Sequence, residues 1–179
     1  TKFDKIHMET LLDPLRLETL DPQRVMSLIP IRYYHNVADI GCGPGYFTIP
    51  FAKYMFDGKV YAVDIQQEML KRLKKRLTEL RLTNVEMIRS EENKVSPKKI
   101  KEGSLDGVFM AFVLHESEDR KAFLKMALSL LQNGGWGAIL EWYKKDTEGG
   151  PPLKERISEK ESFKLASDAG FTFVSQRDL

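Results

Sequence analysis

At 179 residues, with 42% hydrophobic and 30% charged side chains, the sequence has the size of one compact domain with its own core and is too short for two of ordinary size. Its 28 basic and 26 acidic residues leave a formal charge of +2, which excludes a strong global field drawing the protein to nucleic acid or an anionic membrane. A single cysteine, Cys42, excludes an intrachain disulfide and suits a reducing, cytoplasmic setting, and no stretch reaches the roughly 18 apolar residues of a membrane span.

Taken in chain order, residues 1–36 read as short helical pieces started by Asp13-Pro14, Asp21-Pro22 and Ile29-Pro30, an N-terminal helical cap of the same domain that residues 37–179 complete. The chain opens at Thr1 rather than Met, which leaves room for a trimmed leader. From there apolar runs alternate with helical periodicity. The spacing predicts strands over Val37–Gly41, Val60–Asp64, Val85–Arg89, Leu105–Val113, Trp136–Tyr143 and Phe171–Gln176. Between the second and third, Leu70, Leu73, Leu77 and Leu80 line one helical face. The remaining face carries Lys71, Arg72, Lys74, Lys75 and Arg76, which suits either a solvated surface or a grip on phosphates. A helix over Arg120–Leu131 ends at Asn133-Gly134-Gly135, a C-terminal stop signal. Thr147–Pro152 is the one loop rich in turn formers. Alternating strands and helices predict an α/β fold: a doubly wound, mostly parallel sheet with helices on both faces.

The segment Val37-Ala38-Asp39-Ile40-Gly41-Cys42-Gly43-Pro44-Gly45 runs a buried strand into glycines and then into a helix. Glycines there either make a tight structural turn or let a ligand lie against bare main chain at the carboxyl end of a parallel strand. Asp64 closes the next strand 23 positions after Gly41, where a carboxylate can accept hydrogen bonds from ribose hydroxyls. Together the two signals point to a nucleoside ligand. The glycines run G-x-G-x-G, with Tyr46 where a dinucleotide fingerprint needs its last glycine, which argues against a nicotinamide cofactor.

At these residues the sequence resembles the class I S-adenosylmethionine-dependent methyltransferases, whose fold is Rossmann-like. Asp39 to Gly45 is similar to their first motif and Val63-Asp64 to their second. Leu105-Asp106-Gly107-Val108 leading to Val113-Leu114-His115-Glu116, and Leu131 to Trp136, resemble the motifs around the fourth and fifth strands. The nearest likeness is to the small-molecule branch that includes ubiquinone and menaquinone methyltransferases. The resemblance implies S-adenosylmethionine as cofactor. Gly41, Cys42, Gly43 and Gly45 would approach its methionine end, Asp39 its amino group, Asp64 its ribose and Ile65 its adenine. Where the family has an acidic residue after the third strand, this sequence offers Ser90 or Glu91, and Ala111 and Phe112 would close the site from the fourth strand.

A sulfonium methyl is already activated, so methyl transfer asks the protein chiefly for alignment of the acceptor and exclusion of water. A base is needed only when the acceptor must lose a proton. His115 and Glu116, at the end of the fourth strand, are candidates for that role, or alternatively cap the next helix. Trp142, Tyr143 and Arg156 are candidates for the acceptor side; otherwise the aromatics fill core and Arg156 pairs with a surface acid. His7, His35 and Cys42 have no metal-ligand spacing, so no metal is assigned.

The expected activity is therefore methyl transfer to a small-molecule acceptor. An RNA or protein methyltransferase, or a silent cofactor-binding module, stands as the alternative, and a homodimer is left open. Family members end on a seventh strand antiparallel to the sixth, whereas this sequence stops at Leu179 as the sixth would close. The final antiparallel strand is thus expected to be missing, through truncation or a shorter sheet, leaving an edge exposed.

Overall fold

The computed structural model describes residues 20–147 and 149–179. The expected cap helix at Asp13-Pro14, and His7, lie outside the described residues. Helix α1, Pro22–Ser27, starts where Asp21-Pro22 places it: the Asp21 carboxylate accepts from the Gln23 amide at 2.8 Å, and proline takes the first helical position. Then follow β1 (Asn36–Ile40), α2 (Thr48–Tyr54), β2 (Lys59–Asp64), α3 (Gln67–Glu79), β3 (Val85–Arg89) and β4 (Leu105–Ala111). A 3₁₀ turn at Leu114–Glu116 leads to α4 (Arg120–Leu130), β5 (Leu131–Leu140) and α5 (Glu159–Ala169).

The five strands form one sheet in the order β3-β2-β1-β4-β5, with every pairing parallel. Strand alternation sorts the core into two faces. Val37 and Phe109 pack with Val25, Phe51 and Met55 of the α1 and α2 side, while Ala38, Val108 and Met110 pack with Phe123, Leu124 and Ala127 of α4. Leu70, Leu73 and Leu77 of α3 bury against Ala62 and Ile49. Because the chain winds outward from β1 through β2 to β3 and then returns to β4, the winding reverses between β1 and β4. Loops leaving neighbouring strand ends there diverge and open a crevice.

Three boundaries differ from the sequence expectation. The fourth strand stops at Ala111, short of Val113, because Phe112 adopts a left-handed backbone, φ 56°, that breaks the ladder. The fourth helix ends at Leu130, and β5 begins at once with Leu131, then carries an irregularity between the Leu105 and Gly107 pairings that absorbs Gln132 to Gly135. That strand ends at Leu140, so Glu141, Trp142 and Tyr143 stand beyond it.

The sixth strand expected over Phe171–Gln176 does not form, and among the described residues no antiparallel strand joins the sheet. Phe171 lies over Gly137, where a Cβ would come within 2.5 Å of its ring, and Phe173 packs on Phe163 of α5 with centroids 4.8 Å apart. These side-chain anchors hold the segment beside the sheet without aligning its backbone into a ladder.

Candidate functional site

The glycine loop sits at the reversal point. The amides of Gly41 and Cys42 both donate to the carbonyl of Val63, at 2.8 and 3.1 Å, which ties the end of β1 to β2. Three glycines with φ of 73°, 53° and 90° carry the turn. Their surroundings separate their roles. A Cβ on Gly41 would come within 2.7 Å of Val113, and one on Gly45 within 2.4 Å of Leu73, so those two are held by packing. A Cβ on Gly43 would meet nothing within 4 Å, so its bare main chain faces open space. From behind, the Arg76 guanidinium donates to the Pro44 carbonyl at 2.7 Å, so one of the basic residues of α3 points inward to brace the loop. Cys42 is buried among Ile49, Ala62, Leu70 and Leu73, and burial pushes its thiol well above the ordinary range. Its side chain is packing, and only its backbone borders the crevice.

Two carboxylates flank this loop. Asp39 is 2% exposed and accepts the Thr48 hydroxyl at 2.6 Å. Burial raises it from 3.8 to about 7, against the pull of the Thr48 bond, with the charge of Asp64 adding to the rise. Asp64 accepts the Gly43 amide at 2.8 Å and the Gln66 amide at 2.8 Å. Burial raises Asp64 too, opposed by those amide bonds. The Ile65 amide adds to the same backbone cradle around the carboxylate. Ile65, next in sequence, leaves 45% of its surface exposed beside them. Ser90 is half-buried, its amide bonded to the Asp64 carbonyl at 3.0 Å, whereas Glu91 is exposed and its backbone bridges to Lys94.

The opposite wall comes from the ends of β4 and β5. Ala111 and Phe112 are half-buried. The left-handed Phe112 is clamped by its amide bond to the Leu140 carbonyl at 2.7 Å, and its ring leans on Trp142 with centroids 5.6 Å apart. A bulky residue held at positive φ costs of order 1–3 kcal/mol and concentrates where function demands the geometry. His115 and Glu116 then lie in the 3₁₀ turn. They do not cap the next helix, since Asp119 does so by accepting the Ala122 amide at 2.9 Å. His115 instead meets Glu141: Nδ1 lies 2.8 Å from Oε2, and the His115 backbone amide donates to Oε1 at 3.1 Å. Glu116 stands 4.0 Å from His115 Nε2, and burial pushes its carboxyl from 4.5 up to about 6. The sequence places Glu141 with Trp142 and Tyr143 at the close of the fifth strand but gives it no chemical role. Only the parallel register of β4 on β5 brings it to His115 across 26 positions.

A groove of about 2410 Å³ opens beside these groups, lined among others by Phe109, Phe112, His115, Glu116, Leu140, Glu141 and Trp142. Tyr143 borders it too, with its hydroxyl bonded to Asp178 and Lys145 Nζ 4.7 Å from its ring centroid. Arg156 departs from both readings of the sequence. It is 5% exposed, and its guanidinium donates to the carbonyls of Tyr143, Lys145, Gly149 and Pro151 and to the Thr147 hydroxyl, at 2.7 to 3.1 Å. These bonds commit it to stapling the loop after β5, a requirement of loop conformation invisible in a linear sequence, rather than to a surface acid or to the acceptor.

The protein family described as "Methyltransferase domain" matches residues 37–135, more than half of the chain. Over 94% of the chain and 89% of the other, the fold is similar to the crystal structure of a SAM dependent methyltransferase from Aquifex aeolicus, at 35% identity and a TM-score of 0.88. A protein of Aspergillus luteorubrus named "Probable methyltransferase ltbC" is 36% identical over 63 residues, 32% of this chain and 22% of that one. The [4+2]-cyclase SpnF shares the fold at 17% identity and a TM-score of 0.75, over 86% of this chain and 58% of its own. Shared architecture at that distance speaks for the fold alone.

Proposed function

The chain belongs to the methyltransferase domain family of S-adenosylmethionine-dependent proteins, and from that premise we propose that it methylates a small-molecule acceptor bound in the groove beside β5. The observation that carries the reading is the one-sided openness of the glycine loop. Gly41 and Gly45 are closed by neighbours, while Gly43 offers bare backbone to a ligand between Asp39 and Asp64.

The residues present fit S-adenosylmethionine. The Asp64 carboxylate, an acceptor held in place by backbone amides, suits a ribose diol, the exposed face of Ile65 suits adenine, and Ser90 follows β3 alongside. Asp39, buried behind the loop, suits the positive methionine end. The cofactor supplies an activated methyl group. The protein's part is to line up the acceptor, keep water out with Phe112 and Trp142, and take up a proton at His115 or Glu116 where the acceptor has one to lose.

A small organic acceptor is supported by the end of the groove where the aromatic rings of Phe112 and Trp142 stand beside the polar groups of His115, Glu116 and Glu141. The basic face of α3 lends little to a nucleic-acid reading. Lys71 and Lys75 pair with Glu68 and Glu79 on their own helix, and Arg76 turns inward. Calorimetric titration with S-adenosylmethionine and S-adenosylhomocysteine, with NADH as control, tests the cofactor assignment. Micromolar binding of the first two alone is expected. A folded protein that binds neither would refute it. Gly43→Val should abolish that binding by filling the open space, and a variant that binds normally would remove the loop from the site.

A further inference from the structure

We propose that the aromatic surface at the amino-terminal ends of β1 and β2 is where two copies of this chain pair. Tyr33 and Tyr34 stand just before β1, and Phe56 stands in the turn just before β2. Tyr33 stacks on Phe56 with centroids 5.0 Å apart and planes 7° from parallel, and Tyr34 meets Tyr33 edge-on at 5.1 Å. The three rings are thus one patch drawn from two loops. None of them joins the buried clusters of the described residues, and they leave 44%, 54% and 75% of their surface exposed. At roughly 200 Å² per aromatic residue, that amounts to ~350 Å² of contiguous ring surface, a size that on soluble monomers often marks a functional patch. The patch is also braced from behind. The Asp57 amide donates to the Tyr33 carbonyl and the Lys59 amide to the His35 carbonyl, both at 3.2 Å. A Cβ on Gly58 would come within 2.0 Å of the His35 carbonyl oxygen, so the two loops are pressed together. The His35 ring packs edge-on against Tyr34 at 5.2 Å, and its Nδ1 accepts the Arg32 amide at 3.2 Å. Rings held this way have little freedom left to lose when a partner covers them.

Charge selects the partner. Arg32 precedes the first ring and Asp57 follows the last, one cation and one anion, both exposed. Among the described residues neither side chain has an ion-pair partner. Lys59, the next cation along, is taken by Glu86 at 3.5 Å. An anionic membrane or a nucleic acid would bring phosphates against Asp57, beside the most exposed ring, with no net attraction in return. A second copy turned about a twofold axis meets the rings with the same rings. It also sets Arg32 of each copy against Asp57 of the other, because such a contact pairs residue i with j and j with i. Aromatic residues and arginine are the types that interface cores favour, and the net charge of +2 adds little repulsion between copies. The rings supply a little under half of the roughly 800 Å² that each partner buries in a standard interface, which leaves the rest to a polar rim. Pairing there keeps the glycine loop open, since the patch lies at the opposite end of the sheet. Tyr34 touches the far end of the groove beside β5, whereas Tyr33 and Phe56 do not line it.

Sedimentation velocity of the full chain across the micromolar range tests the pairing, with circular dichroism to show that each variant is folded. Wild type should pass from monomer to dimer as concentration rises. Phe56→Ser, a change at an exposed ring, should raise the dimer Kd at least about tenfold, and Tyr33→Ser should act in the same direction. Asp57→Lys should weaken the dimer at low salt and return toward wild type at high salt, where like charges are screened, while salt does not rescue Phe56→Ser. A wild type that stays monomeric throughout, or a dimer indifferent to both ring substitutions, overturns the proposal. Weakening by Asp57→Lys that salt does not relieve overturns the charge pairing. Binding of monomeric wild type to phosphatidylserine vesicles or to RNA, abolished in Phe56→Ser, would give the patch to a lipid surface or a nucleic acid and overturn the pairing of copies as well.

Discussion

Asp39 sits at the end of β1 with the Thr48 hydroxyl as its side-chain donor, and the cost of ionising it there is what lifts it to about 7. A carboxyl raised on folding favours the protonated form, so its contribution to stability is complete below 3.8, declines as pH rises toward 7 and is lost above that. The span corresponds to at most on the order of 4 kcal/mol. Asp39→Asn should therefore flatten the fall in unfolding free energy between pH 4 and 7.5, measured by urea titration; an unchanged slope would assign that fall to other groups. A cationic ligand beside Asp39 pulls its titration back down. Binding at pH 7 should release a fraction of a proton, seen as a dependence of the calorimetric heat on buffer ionisation enthalpy. Asp64 acts differently, since its two backbone donors hold it in place as an acceptor. Asp64→Ala should weaken S-adenosylmethionine by about 1–3 kcal/mol, some 5- to 150-fold in Kd, and equal Kd values would sink the ribose assignment.

Among elements, the sequence is most readable where one residue type answers one local demand. β1 and β2 shift by a single residue at one or both ends, because buried parallel strands are written as apolar runs, while β3, a half-buried edge strand, matches its expected span of Val85–Arg89. The loop glycines are legible because positive φ is theirs to supply. Pairings set by register are not legible. The contact of His115 with Glu141 follows from β4 lying beside β5, and alternation over Phe171–Gln176 looks like a strand although its rings turn to Gly137 and Phe163. Arg156 is a third case. The loop from Tyr143 to Pro151 has no ladder, so its oxygens converge on one buried guanidinium for the donors that a sheet would otherwise provide. Arg156→Met keeps the apolar stem beside Trp142 and removes every donor. Limited proteolysis should then cut within 143–156 at least tenfold faster than in wild type, with little change in the protection of β1. Equal cleavage rates would mean that the staple is dispensable.

Across the whole molecule, stability is unevenly spread, and the unevenness follows the winding of the sheet. β1 and β4 lie between neighbours and are buried almost throughout, whereas β5 pairs on one side only and is half-exposed along its length. The glycine loop is anchored to the protected centre through Gly41, Val63 and Val113, while Glu141, Trp142 and the stapled loop extend from the less protected strand. On the proposed assignment the cofactor meets the better-packed part of the sheet and the acceptor the less protected part, a division suited to a fixed reagent and a variable partner. Hydrogen exchange should show 36–40 and 105–111 exchanging only through global unfolding, 131–140 faster, and 141–156 and 171–179 fastest. S-adenosylhomocysteine should slow exchange at 41–46 and 112–116 well before it affects 171–179. If β5 proves as slow as β4 in the free protein, its far edge is covered in solution, and the acceptor groove would have to open before anything could enter it.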